Sequence, residues 1–200
     1  LERPTHTNTS WDAAKFEVCA HKYCDLSEYG YGVAMLNDCK YGHDIHDGVM
    51  RLTLLKCATY PNVDADRRVH HFTYSIVPHT GDYREAGIVE MAYELNNPMT
   101  AMEVPAQTGT LPETYSYVAV SAPNMILETV KKAEDSDATI LRMYEAWNKR
   151  TDVKVTLGFT PKRVTLVDLM ENELSAVAVD GSSFTLTVKP FEIVTVKVEK

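Results

Sequence analysis

The chain has 200 residues, 44% of them hydrophobic, and a formal net charge of −8 from 20 Lys+Arg against 28 Asp+Glu. That is enough chain for one or two globular cores. It argues against nucleic acid and anionic membrane surfaces as partners, because phosphate neutralisation needs clustered cations and no basic run is longer than Arg67-Arg68 or Lys131-Lys132.

The first residue is Leu1 rather than Met, and Arg3–Ser10 (RPTHTNTS) reads as an extended connector, the start expected of a processed chain or of a piece of a longer protein. No basic–apolar–small pattern marks a signal peptide, and no apolar run nears the ~20 residues that span a bilayer. Alternation with period two, the mark of half-buried strands, then dominates. A strand at Val33–Leu36 leads into a polar loop. Met50, Leu52 and Leu54 alternate with polar neighbours, as do Phe72, Tyr74 and Ile76. From Asp82 to Asn96 the spacing changes: Ile88, Met91, Ala92 and Leu95 recur at three and four residues and predict an amphipathic helix, which Asn97-Pro98 stops. A polar stretch with Pro98, Pro105, Gly109 and Pro112 follows, too long for a tight turn. Beyond Pro123 seven strands are predicted, near 125–132, 138–147, 153–158, 164–169, 174–179, 183–189 and 191–198. Short strands at that spacing describe a small antiparallel sandwich. The expected fold is therefore all-β, an antiparallel sandwich part over 1–122 and a small terminal β-sandwich over 123–200, with one short helix near 82–96.

Few residues have the pattern of chemical machinery. Cys19, His21, Cys24, Cys39, His43 and His46 crowd the first fifty positions, but C-x-H-x₂-C and C-x₃-H-x₂-H fit no common zinc module. Cys57 completes a set of four, too sparse for a disulfide framework, so reduced thiols in a cytoplasmic protein are expected. Ser27, Ser121 and Ser136 lack a G-x-S-x-G context, and no glycine-rich phosphate loop precedes a helix. Asp64-Ala65-Asp66 and Glu134-Asp135 sit in loop-like stretches and read as solvated turns. No catalytic residue and no metal ligand is assigned. The candidates for ligand contact are Asn37, Asp38, Lys40, Tyr41 and Asp44, with His43 among them. Sugars are held by carboxylates and amides that bridge hydroxyls and by an aromatic face against the ring, and this loop offers both kinds of group. A turn closed by an Asn or Asp side chain beside a packed tyrosine fits the same residues.

The segment WDAAKFEVCAHKYCDLSEYGYGVAMLNDCKYG, Trp11 to Gly42, resembles the non-catalytic C-terminal region of the family 38 α-mannosidases. So do Met50–Leu55, Thr59-Tyr60-Pro61, His71-Phe72-Thr73-Tyr74, Ala86-Gly87-Ile88-Val89, Ile140–Ala146 and Lys189–Ile193. The LNDCKYG form is most similar to the cytosolic and bacterial branch. The resemblance implies the later part of a β-supersandwich followed by a terminal sandwich. It implies partners in the upstream catalytic barrel and helical bundle of the same enzyme, which hydrolyses terminal α-D-mannosides with retention. The family's cofactor, a divalent metal, zinc or cobalt, belongs with its catalytic aspartate in that upstream part, so none is carried onto this chain.

An accessory region of an α-mannosidase, inactive by itself, is the expectation. An independent carbohydrate-binding module and a metal-binding Cys/His domain are the alternatives. A cut supersandwich would leave an apolar edge open, so a homo-oligomer is also expected.

Overall fold

The computed structural model describes residues 2–110 and 112–200. Two compact units make up the chain, Leu1–Glu103 and Val104–Lys200. The fold is all-β and antiparallel, as expected.

The first unit holds two three-stranded sheets and two helices. Helix α1, Ser10–Ala13, is a single turn in the stretch read as a connector; Thr9 caps it by accepting from the Asp12 N–H at 3.2 Å. One sheet has the order β1 (Glu17–Cys19), β4 (Gly42–His46), β5 (Val49–Leu52). The other has the order β2 (Tyr23–Glu28), β3 (Tyr31–Asn37), β6 (Tyr74–Thr80). Ala34 and Leu36 of β3 are buried with Ile88 and Ala92 of helix α2, Ile88–Asn96, and with the partly buried Tyr23, Val77 and Leu95.

The predicted helix over 82–96 is shorter than its periodicity. Gly87 stands at its N-cap with φ 66°, a left-handed conformation that an unbroken helix excludes. Residues 82–86 instead form a turn in which Asp82 Oδ1 accepts from the backbone N–H groups of Arg84 (2.9 Å) and Glu85 (3.1 Å). The strand expected over Met50–Leu54 stops at Leu52, and the one read from Phe72 starts at Tyr74. Between them the chain runs without helix or strand.

The second unit is a two-sheet sandwich. Its four-stranded sheet runs β13 (Val179–Asp180), β14 (Ser183–Val188), β10 (Thr151–Leu157), β7 (Val118–Val120). Its five-stranded sheet runs β12 (Glu173–Val177), β11 (Arg163–Val167), β15 (Ile193–Glu199), β9 (Thr139–Glu145), β8 (Met125–Lys132). Strand β7 pairs with β10 and so lies with this unit, ahead of Pro123. Period-two alternation is cleanest in β10, where Thr151, Val153, Val155 and Leu157 are buried and the residues between them exposed. The core joins Val153, Val155, Leu157, Phe184 and Val188 of one sheet to Leu141, Met143, Val164, Val196 and Val198 of the other. Ala133, Ala138 and Ile140 form a small satellite cluster.

Residues 97–110 and 112–116, next to the division between the units, are exposed and carry no regular structure apart from turns and bends. Such backbone is the usual site of nicking. Protease V8 is expected to cut first after Glu103 or Glu113 and to leave a resistant fragment ending at Lys200. Mass spectrometry of a time course checks this, and early cuts inside β8–β15 would contradict the sandwich as a self-sufficient unit.

Candidate functional site

The polar loop singled out in the sequence connects β3 to β4, which lie in different sheets, with Asn37 ending β3 and His43 and Asp44 in β4. Asn37 is fully buried, and its Oδ1 accepts from the Lys40 N–H at 3.1 Å. Its N–H donates to the Lys22 carbonyl at 2.9 Å, and its own carbonyl accepts from Asn96 Nδ2 at 3.0 Å. Asn37 thus ties the loop to α2. Asp38 Oδ2 accepts from the Thr73 N–H at 2.9 Å. Hydrogen bonding from the Cys39 thiol, then from Thr73, holds the Asp38 carboxyl below its ordinary range. Lys40 Nζ lies 5.2 Å over the Phe72 ring, and the Tyr41 ring lies 4.4 Å from that of His21. Asp44 pairs across β4 and β5 with Arg51 at 2.9 Å and stands 3.3 Å from His46. All five candidates therefore have an internal contact, and the Tyr41 ring keeps the most open face.

His43 is buried beneath this loop. Its Nδ1 lies 3.1 Å from the Tyr41 carbonyl, which can only accept, so Nδ1 carries the proton. Burial pushes its pKa below the ordinary value, the carbonyl only partly opposing, and the ring is neutral near pH 7.

Two further constellations escape a reading by motif. On β6, His79 Nε2 donates to Asp25 Oδ1 of β2 at 2.7 Å, and both side chains are buried. The imidazole crosses over Gly32 of β3: a Cβ there would stand 2.5 Å from two ring atoms. A glycine inside a strand run marks such a close approach, and Gly32 was the available signal. In the second unit Glu145 is buried at the end of β9. Its carboxylate accepts from Asn124 Nδ2 (2.8 Å), the Trp147 N–H (2.7 Å) and the Phe191 N–H (3.0 Å). Burial raises its pKa, but these donors, Phe191 first and Asn124 next, outweigh burial together and hold the carboxyl below its ordinary value.

Among the described residues no group of three or more His, Cys, Asp and Glu side chains converges to hold a metal ion, and no helix is long and apolar enough to cross a membrane. Cys19 ends β1 and Cys24 lies in β2, strands of two different sheets, with His21 between them outside both strands. Cys24 is buried with its sulfur 3.9 Å from that of Met50, and burial pushes its thiol up to about 11. The thiolate is the reactive form. Exposed Cys19, Cys39 and Cys57 should therefore react with a disulfide reagent at pH 8, and Cys24 only after unfolding. Four fast thiols in the native protein would contradict this burial.

What the fold and these sites define is a pair of β-units whose buried polar groups brace strands and turns. The family 38 glycosyl hydrolase C-terminal domain matches residues 1–64, and the C-terminal beta sandwich domain of the same family matches 124–196. Alpha-mannosidase 2C1 of Homo sapiens is 40% identical over 198 residues, which are 96% of this chain and 19% of that protein. Alpha-mannosidase G of Dictyostelium discoideum is 39% identical over 98% of this chain and 18% of its own. The crystal structure of an alpha-mannosidase from Enterococcus faecalis V583 has the same fold, with a TM-score of 0.76 over 99% of this chain and 23% of that one, at 18% identity. The chain belongs to glycosyl hydrolase family 38 and carries its C-terminal domains. It spans about a fifth of the length of the curated relatives it matches.

Proposed function

We propose that the chain is the accessory C-terminal region of an α-mannosidase, bracing a catalytic region that removes terminal α-D-mannosides with retention and with a divalent metal, zinc or cobalt, in its own active site. The observation that carries this is the 40% identity to an α-mannosidase along 96% of the chain, together with a span of only 19% of that protein. The polar groups most suited to catalysis support a bracing role: Asp25, His79 and Glu145 are buried and bonded within their own units. Four cysteines without a bridge, one of them buried, fit the cytoplasm. The supersandwich part is placed at 1–122 and the terminal sandwich at 123–200, with β7 joining the sandwich by its pairing with β10. In this reading Tyr41 is the loop residue placed to meet a sugar held by the catalytic region, since its ring is exposed while Asn37, Asp38 and Asp44 are engaged internally.

An assay with an aryl α-mannoside and added zinc or cobalt tests the proposal. The 200-residue chain is expected to give no turnover, and turnover by it at the rate of an intact family enzyme would overturn the reading. Calorimetry against mannose and manno-oligosaccharides separates it from a free-standing binding module. A scaffold gives no heat of binding.

A further inference from the structure

The two sheets of the first unit touch through sulfur. Cys24 Sγ of β2 lies 3.9 Å from Met50 Sδ of β5, a contact between strands of different sheets. Met35 of β3 is the register partner of Cys24 and adds a buried thioether to the same face. On the opposing sheet Met50 pairs with Ile45, so His43, two residues earlier on β4, shares its face and stands diagonal to it. Diagonal neighbours lie roughly 7–8 Å apart, within reach of long and aromatic side chains.

His43 is 3% exposed, and its Nε2 has no hydrogen-bond partner. A buried acceptor left without a donor costs free energy, so this nitrogen calls for an occupant. The ring is already in the form that a metal binds. Its Nδ1–H is anchored on the Tyr41 carbonyl, which leaves the Nε2 lone pair free. Metal-bound histidines are oriented by that same kind of second bond.

Thiolate and thioether sulfur select Cu(I), and imidazole suits copper as well. Charge points the same way. Burial disfavours a bare Cys24 thiolate. A monovalent ion in place of the thiol proton leaves Cys24, Met50 and His43 neutral together, whereas a divalent ion would leave one buried positive charge uncompensated.

We propose that Cys24 Sγ, Met50 Sδ and His43 Nε2 form a site for one cuprous ion between the two sheets, beside Met35. The site draws on one cysteine and one histidine and takes its remaining sulfur from methionine. Binding breaks the Cys24 S–H bond, forms a sulfur–copper bond and releases one proton to solvent. The metal enters as Cu(I) and stays Cu(I), so no electron moves. Met50 is only partly buried, and the ion passes its thioether on the way in.

An anaerobic titration with Cu(I) against bathocuproine disulfonate tests this in the 200-residue chain carrying Cys19→Ser, Cys39→Ser and Cys57→Ser, which removes the exposed thiols. One ion per chain is expected, with X-ray absorption showing sulfur together with an imidazole nitrogen. Met50→Leu, a swap of similar volume that cores tolerate, should weaken binding about tenfold or more, as the loss of a positioned metal contact does. His43→Phe should weaken it likewise and remove the nitrogen signal. Circular dichroism checks that both variants fold; should His43→Phe unfold, Met50→Leu and the nitrogen signal of the parent decide. A chain that retains no copper overturns the proposal, and so does a spectrum with sulfur alone. Copper held as tightly in Met50→Leu as in the parent overturns it too, and leaves Cys24 as a thiol with an adventitious ion only.

Discussion

Replacing Glu145 by alanine should cost the second unit about 3 kcal/mol, since truncation leaves buried donors without an acceptor. The substitution strips partners from Asn124 Nδ2 and from the backbone N–H groups of Trp147 and Phe191. Asn124 keeps one bond, to Thr151 Oγ1 at 2.6 Å, so the two backbone donors suffer most. They sit on the turns that follow β9 and precede β15, and both strand ends should loosen together. Urea unfolding followed by the fluorescence of Trp147 checks this, with the midpoint expected to fall by about 1 M or more at ordinary m-values. Glu145→Gln, which keeps the shape and one acceptor oxygen, should lose less. An unchanged midpoint in the alanine variant would remove the carboxylate from any bracing role.

The same residue sets a direction with pH. Its folded carboxyl is held below the ordinary value, so the unfolded chain takes up the proton first. The stabilisation is therefore fully present above the ordinary glutamate value and is lost as pH falls below it. The glutamine variant should lack that part of the acid dependence.

Gly32→Ala should be about as damaging to the first unit. The added Cβ meets His79 ring atoms at 2.5 Å and Ser27 Cβ at 2.7 Å. The ring cannot swing away cheaply, because it is buried and bonded to Asp25. Expelling it leaves the Asp25 carboxylate buried without its donor, and breaking such a pair costs about 3 kcal/mol or more. A double-mutant cycle with His79→Ala measures the coupling. With the imidazole gone, Gly32→Ala should cost much less, the contact with Ser27 alone remaining. Additive losses would show that the close approach of ring and glycine is not what fixes this position.

Much of the second unit was legible in the sequence. Val153, Val155 and Leu157 alternate with polar residues because one side of β10 faces the core, and that period survives into the structure, whereas in β15 Thr195 is buried along with Val194, Val196 and Val198. The first unit was less legible. Its strands β1 and β4 are three and five residues long and only half-buried, so alternation has little length in which to emerge. Helix α2 kept its apolar spacing but lost its first turn to the left-handed Gly87, a local constraint that periodicity does not register. Of the candidate loop only residues 38–41 lie outside strands, since Asn37 ends β3 and His43 and Asp44 belong to β4. What its side chains do depended on Lys22, Phe72, Thr73 and Asn96, which lie far off in sequence. Glu145 and Asp25 were missed for the same reason, since a carboxylate in a strand gives no sign of which backbone donors will surround it.

The place of β15 in its sheet bears on how the protein is made. This strand lies between β11 and β9, and Val194, Val196 and Val198 supply the centre of the sandwich. Its partners β9 and β11 are synthesised earlier and face each other across a gap until β15 arrives. A ribosome-bound chain halted before residue 193 would hold two unjoined half-sheets with their apolar sides open. The sandwich therefore closes only after its seam strand has left the exit tunnel.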